Sequence, residues 1–144
     1  MDEGKQDEPR HVSLSEKLQT KLPDSFVQTR QQGGATLRYV STYSVISLAN
    51  RLFGNEGWTY RVLEPVACSF ASETTCVYSC RVEVSIRTEA GDWITRSDVG
   101  TCGATRNAGL TGDQHEMAIK GCVSDGIKRA LHGFGPIFGL DLYA

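Results

Sequence analysis

The sequence has 144 residues, of which 40% are hydrophobic and 22% charged, and its formal net charge is −2. This is the composition of one ordinary globular domain, and the length is sufficient for a single hydrophobic core. No apolar run reaches membrane-spanning length, and the polar, acidic start lacks the features of a secretory signal or an organellar transit peptide. We therefore expect an intracellular protein with no membrane partner.

The charges are unevenly distributed along the chain. Residues 1–16 contain five acidic and two basic residues, whereas residues 17–144 contain thirteen basic and twelve acidic residues. The nearly neutral body neither supports nor excludes binding to a polyanion, because affinity for phosphates depends on where the cations lie.

The five cysteines are an odd number and include no Cys-x-x-Cys pair. Cys80 and Cys122 fall on apolar faces, which is typical of small buried side chains in a reducing compartment. A zinc site built from Cys76, Cys80 and His115 has a spacing that matches no common pattern, and a thiol nucleophile at Cys102 beside His115 has no better support. We therefore expect neither a metal ion nor a cofactor.

The chain begins with a segment that differs from the rest. Residues 1–12 are polar, acidic and unpatterned, so we expect a disordered acidic tail followed by one domain over residues 13–144. Ser13 and Glu16 have the spacing of a capping box, which predicts a short helix with leucines at every fourth position up to Leu22.

A hairpin and a second helix are predicted next. Residues 26–31 and 36–40 are strand-like runs on either side of a glycine pair, a pattern typical of a hairpin. A helix capped by Ser41 or Thr42 then extends through Phe53, where a glycine ends it.

The rest of the chain predicts a sheet and a long helix. Residues 76–88 alternate between apolar and polar side chains, which indicates a strand with one wet face. Residues 100–112 are rich in glycine and threonine and are expected to form a mobile loop. We predict two further strands over residues 58–64 and 93–99 and a long helix over residues 115–134. An apolar tail over residues 137–143 is expected to pack on a neighbouring element.

This order of elements predicts an α+β fold. An antiparallel β-meander of three to four strands packs against the long C-terminal helix, and an N-terminal helix, a hairpin and a second helix precede it.

The long helix also places basic side chains in a row. Its apolar positions recur at helical spacing and predict a buried face. Lys128 and His132 fall opposite that face, with Arg129 and Lys120 at its edges, so the helix is expected to present a cationic row to a polyanion. The simpler interpretation is a solvated helix face whose cations favour the helix dipole.

No enzyme motif is present. The chain has no phosphate-binding glycine loop with the Lys-Ser/Thr signature, and Gly103 and Gly109 do not have dinucleotide-binding spacing. A hydrolase triad made from Ser124, Asp125 and a histidine would have to lie on a single helix. We therefore expect a protein that is not an enzyme.

Five blocks of sequence stand out in chain order: Arg30-Gln-Gln-Gly-Gly34, Tyr39-Val40, Val45-Ile-Ser-Leu-Ala-Asn-Arg-Leu-Phe-Gly-Asn-Glu-Gly-Trp58, Asp98-Val-Gly100 and Ser124-Asp-Gly-Ile-Lys-Arg-Ala-Leu-His-Gly-Phe-Gly135. Taken together, they resemble the N-terminal annealing domain of the Rad52 family. The match extends from about residue 16 to residue 139. The resemblance implies ATP-independent binding of single-stranded DNA and annealing of complementary strands in homologous recombination and double-strand break repair, and a nuclear location if the source is eukaryotic.

The resemblance also implies a DNA-binding groove. The family commonly has arginine where this chain has His132, so we expect binding to strengthen modestly as the pH falls through the imidazole range. The implied groove residues are Arg30, Tyr39, Lys120, Lys128, Arg129 and His132.

The implied partners are single-stranded DNA and other copies of the chain, arranged as a ring, with other recombination proteins as further candidates. The sequence ends just past its last helix, so recombinase loading, which belongs to the family's C-terminal region, is not expected of it. The alternative function is a non-catalytic oligomerisation or regulatory module of a repair complex that binds DNA weakly or not at all.

Overall fold

The computed structural model describes residues 12–143, so nearly all of the predicted tail over residues 1–12 lies outside the described residues. These residues form three α-helices and six β-strands, with one short 3₁₀ helix after the first α-helix, at Asp24–Phe26, and two after the last α-helix, at Pro136–Phe138 and Leu140–Tyr143. The helices are α1 (Leu14–Leu18), α2 (Thr42–Phe53) and α3 (Gly112–His132). The strands are β1 (Gln28–Gln32), β2 (Ala35–Tyr39), β3 (Trp58–Val62), β4 (Ala67–Ala71), β5 (Thr75–Arg87) and β6 (Trp93–Thr105).

Strand β5 is the centre of a four-stranded antiparallel sheet. Strand β6 pairs along its whole length, whereas β3 and β4 pair with its two ends and share the opposite edge. The side chains of β5 alternate as predicted, with Cys80, Val82, Val84 and Ile86 buried. The α+β fold class is therefore confirmed.

The hairpin and α2 also lie where the sequence predicts them. Strands β1 and β2 pair antiparallel around Gly33 and Gly34, whose φ angles of 59° and 80° are those that glycine adopts without strain. Ser41 caps α2 by accepting a hydrogen bond from the backbone N–H of Ser44.

The predicted mobile loop over residues 100–112 is wrong in its first half, because β6 continues to Thr105. A Cβ atom added to Gly100 would lie 1.9 Å from the carbonyl oxygen of Cys122 and 2.4 Å from the backbone nitrogen of Gly126. The bare Cα of Gly100 thus allows α3 to lie directly on β6. Glycine marks close packing here, not flexibility.

Two smaller differences concern the edges of the fold. Strand β4 has exposed side chains throughout, so its residues show no alternation from which a strand could be predicted. Helix α1 ends at Leu18, although Leu22 beyond it is still buried. Its N-cap at Ser13 is as predicted, since the Ser13 side chain accepts from the N–H of Glu16.

The C-terminal segment packs as expected. Phe138 is fully buried, and its ring centroid lies 6.2 Å from that of Phe53 on α2. This contact ties the last 3₁₀ helices to the core beside the end of α3. Within residues 12–143, no helix combines the length and the hydropathy that a membrane span requires.

Candidate nucleic-acid interface

A cavity of about 300 Å³ lies between the end of α3 and the first half of β6. Three of the predicted site residues, Lys128, Arg129 and His132, line this cavity together. Strand β6 contributes a further cation, Arg96, and an acid, Asp98. The remaining lining residues are Ser97, Ala130, Gly133 and Leu140.

Arg129 is held in place by an acid one turn earlier on α3. Its Nε donates to Oδ2 of Asp125 over 2.9 Å, and the same oxygen accepts from the backbone N–H of Thr101 on β6 over 3.0 Å. The side chain of Arg129 is 53% exposed and that of Asp125 is 19% exposed. The pair therefore orients the guanidinium more than it stabilises the fold.

His132 occupies a different environment from the one predicted. The helical wheel placed it opposite the core, but the residue is only 8% exposed. Burial lowers the pKa of His132 to about 4, and the positive charges of Lys128 and Arg129 add to the effect. The imidazole is therefore neutral near pH 7, and we no longer expect it to strengthen DNA binding through the ordinary imidazole range.

The hairpin carries a second cluster. The guanidinium of Arg30 lies 5.4 Å from the centroid of the Tyr39 ring, a cation–π distance. The two residues are diagonal neighbours on one face of the hairpin, because Arg30 is opposite Leu37 and Tyr39 is opposite Gln28. Strand β2 in turn contacts the last 3₁₀ helix, whose first residue lines the α3 cavity.

Lys120 lies apart from the cavity at the end of α3. It is two helical turns before Lys128, about 12 Å along α3, and it is not among the residues that line the cavity. Its Nζ pairs with the Oε1 of Glu116 at 2.6 Å, and this hydrogen bond raises the pKa of Lys120. An exposed neighbouring acid thus offsets its charge.

The cysteines and His115 form no metal-binding arrangement within residues 12–143. The Nδ1 atom of His115 is hydrogen-bonded to the hydroxyl of Tyr78 at 2.8 Å. Cys80 and Cys122 are buried as predicted. Burial also raises the pKa of Cys102, which is the opposite of what an activated thiol requires.

The sequence interpretation missed Arg96. The residue lies in a segment predicted as a strand, and it shares a face with Asp98 and Gly100 because side chains alternate along β6. Because Gly100 lies against α3, Arg96 on the same face of β6 also lies on the side of the sheet that α3 covers. Recognising the role of Gly100 would therefore have indicated the position of Arg96.

The fold and the cavity define an α+β domain with a cationic recess between its long helix and the edge of its sheet. A family model described as "Rad52/22 family double-strand break repair protein" matches residues 10–144. The chain is 32% identical over 148 residues to the DNA repair and recombination protein RAD52 of Saccharomyces cerevisiae, covering 99% of this chain and 30% of that protein.

Two further relatives are similar over nearly the same region. The RAD52 protein of Candida glabrata is 31% identical over 134 residues, with 92% of this chain and 26% of that protein covered. The rti1 protein of Schizosaccharomyces pombe is 27% identical over 132 residues, with 90% and 35% covered. The chain thus spans between a quarter and about a third of the length of these relatives. It belongs to the Rad52/22 family of double-strand break repair proteins.

Proposed function

We propose that this domain binds single-stranded DNA and anneals complementary strands without ATP, as part of homologous recombination and double-strand break repair in the nucleus. The proposal depends mainly on one observation: Lys128 and Arg129 of α3 line the same cavity. Membership of a family whose members are named DNA repair and recombination proteins supports it.

The proposed mechanism needs no bond chemistry. Lysine and arginine side chains bind phosphates whatever the base sequence, and Tyr39 beside Arg30 offers an aromatic face on which a base can stack. A strand held by its backbone keeps its other bases exposed for pairing. Neutralising the phosphates also lowers the repulsion between two strands that meet, which favours annealing.

We further propose that the chain acts as a homo-oligomer, arranged as a ring. Several large apolar side chains are exposed in the isolated chain, including Tyr43 at 80%, Met117 at 66% and Trp93 at 51%. A contact between copies of the chain would remove such side chains from water, which is favourable. Light scattering with and without a poly-thymidine strand would measure the mass of the assembly. A monomeric mass in both conditions would contradict this part of the proposal.

Single substitutions test the DNA-binding residues. We expect Lys128→Ala and Arg30→Ala each to weaken binding to an oligonucleotide by about 5- to 20-fold, because each removes a charged hydrogen-bond donor. Arg87→Ala, which removes an exposed arginine at the end of β5, serves as the control. A gel shift reports affinity, and the rate of pairing of complementary strands reports annealing. Equal affinity in all three variants would contradict the site.

A regulatory module with little DNA affinity remains the second candidate. The ion pairs of Lys120 with Glu116 and of Arg129 with Asp125 favour it, because they reduce the charge available to phosphates. Binding measured at low salt separates the two functions. A regulatory module would show little or no affinity even at low salt, where attraction to phosphates is least screened.

A further inference from the structure

Arg96 of β6 lies across the cavity from the two cations of α3 and has no role in the site that the sequence predicts. We propose that Arg96 is a third phosphate-binding residue, which holds the DNA backbone from the sheet while Lys128 and Arg129 hold it from the helix. This inference rests on the proposed function and adds a specific residue to it.

The side chain of Arg96 is held ready for such a contact. Its guanidinium lies 5.4 Å from the centroid of the Phe134 ring, and its Nη1 donates to the carbonyl oxygen of Thr95 over 3.0 Å. Phe134 is itself buried, so the ring is a fixed support. A guanidinium stacked on an aromatic ring loses less conformational freedom when it binds a phosphate.

Gly133 provides the space for this arrangement. A Cβ atom at that position would lie 3.2 Å from Cγ of Arg96, closer than nine in ten real Cβ contacts, so the arginine would have to shift by a few tenths of an ångström. Gly133 at the end of α3 therefore leaves room for the Arg96 side chain, and the ring of Phe134 supports it.

Arg96 matters to the charge of the cavity because the other charged and titratable groups there supply less positive charge than their number indicates. Arg129 is paired with Asp125, Asp98 adds a negative charge to the lining, and His132 is neutral near pH 7. No carboxylate within residues 12–143 forms an ion pair with Arg96, and the residue is exposed. Its positive charge is thus not offset by an ion pair with these carboxylates, and Arg96 lines the cavity in which a phosphate would lie between β6 and α3.

Affinity for a poly-thymidine oligonucleotide, measured over a range of salt concentrations, tests this inference. We expect Arg96→Gln to weaken binding by about 5- to 20-fold and to make the salt slope less steep by about 0.7, the value for one single-strand phosphate contact. Arg96→Lys keeps the charge and is expected to keep the slope. Arg87→Gln is the control for the loss of an exposed arginine, and thermal unfolding of each variant shows whether the fold is intact.

The outcomes separate this inference from the function on which it rests. If Lys128→Ala weakens binding but Arg96→Gln does not, the role of Arg96 is wrong and the proposed function stands. If Arg96→Gln and Arg96→Lys lose the same affinity with an unchanged salt slope, Arg96 acts through the fold and the inference is also wrong. If the unaltered protein does not bind the oligonucleotide, both proposals are wrong.

Discussion

Arg129 and Asp125 form an ion pair whose carboxylate also fastens the helix to the sheet. The oxygen that accepts from Nε of Arg129 over 2.9 Å accepts from the backbone N–H of Thr101 over 3.0 Å. Asp125 thus orients the guanidinium of Arg129 at the cavity and also links α3 to β6. The local structure and the candidate site depend on the same side chain.

Asp125→Ala is expected to destabilise the protein. The change removes the carboxylate that accepts from the backbone N–H of Thr101; a hydrogen bond to a charged group contributes about 1.5–3 kcal/mol, and because Thr101 is exposed to water we expect a loss of about 1–2 kcal/mol in the free energy of unfolding. Urea unfolding measures it. Asp125→Asn keeps an oxygen acceptor and is expected to lose about 1 kcal/mol or less, since only the partly exposed ion pair is removed. Equal losses in the two variants would show that the hydrogen bond to Thr101 contributes nothing.

Gly100→Ala is expected to separate the helix from the sheet. The added Cβ would overlap the backbone of α3 at Cys122 and Gly126, and backbone cannot rotate away as a flexible side chain can. We expect a loss of about 3 kcal/mol or more in the free energy of unfolding. Gly112→Ala is the matched control, because an added Cβ there meets nothing within 4 Å. A stable Gly100→Ala protein would contradict the close packing of α3 on β6.

His132 gives the stability a defined dependence on pH. Its pKa is lowered from 6.5 to about 4 in the folded protein, so the unfolded chain takes up a proton first as the pH falls. The contribution is fully present above pH 6.5 and decreases as the pH falls from 6.5 towards 4. It amounts to about 1–3 kcal/mol.

His132→Gln removes this titration. Its free energy of unfolding should therefore fall less steeply than that of the unaltered protein between pH 6.5 and 4. Denaturant unfolding at several pH values measures both slopes. Identical slopes would mean that the imidazole is accessible to protons in the folded state.

Asp98→Asn is expected to increase affinity for single-stranded DNA. Asp98 brings a negative charge to the cavity, and its Oδ1 accepts from the backbone N–H of Val99 over 2.7 Å, a bond that an amide oxygen can keep. Removing one like charge near a bound phosphate should strengthen binding by about 3- to 10-fold at low salt and less at high salt. Fluorescence anisotropy with a labelled oligonucleotide measures the change. Weaker binding would indicate that Asp98 supports the site instead of opposing it.

Periodicity was sufficient to predict most of the fold. The alternation in β5, the glycine pair of the hairpin and the caps of α2 are local patterns, and each element formed within a few residues of its predicted position. The end of β6 could not be predicted in the same way. Gly100 begins a segment whose composition is typical of a loop, and only the packing of α3 against it explains why a glycine is needed there.

The candidate site was predictable only in part, and for a similar reason. A helical wheel gives the spacing of Lys128, Arg129 and His132, but it does not show that the end of α3 is enclosed by β6 and the last 3₁₀ helix. Neighbouring elements bury His132 and bring in Arg96. Both facts depend on contacts between distant parts of the sequence, which the helix alone does not encode.

The salt dependence of affinity for a poly-thymidine oligonucleotide tests the central claim most directly. A cavity in which Lys128, Arg129 and Arg96 contact phosphates predicts that log affinity falls against log salt with a slope of about −2 or steeper. Replacing Lys128 and Arg129 together by alanine should make that slope less steep by about 1.4. Absence of binding at low salt, or an affinity that does not change with salt, would contradict the account.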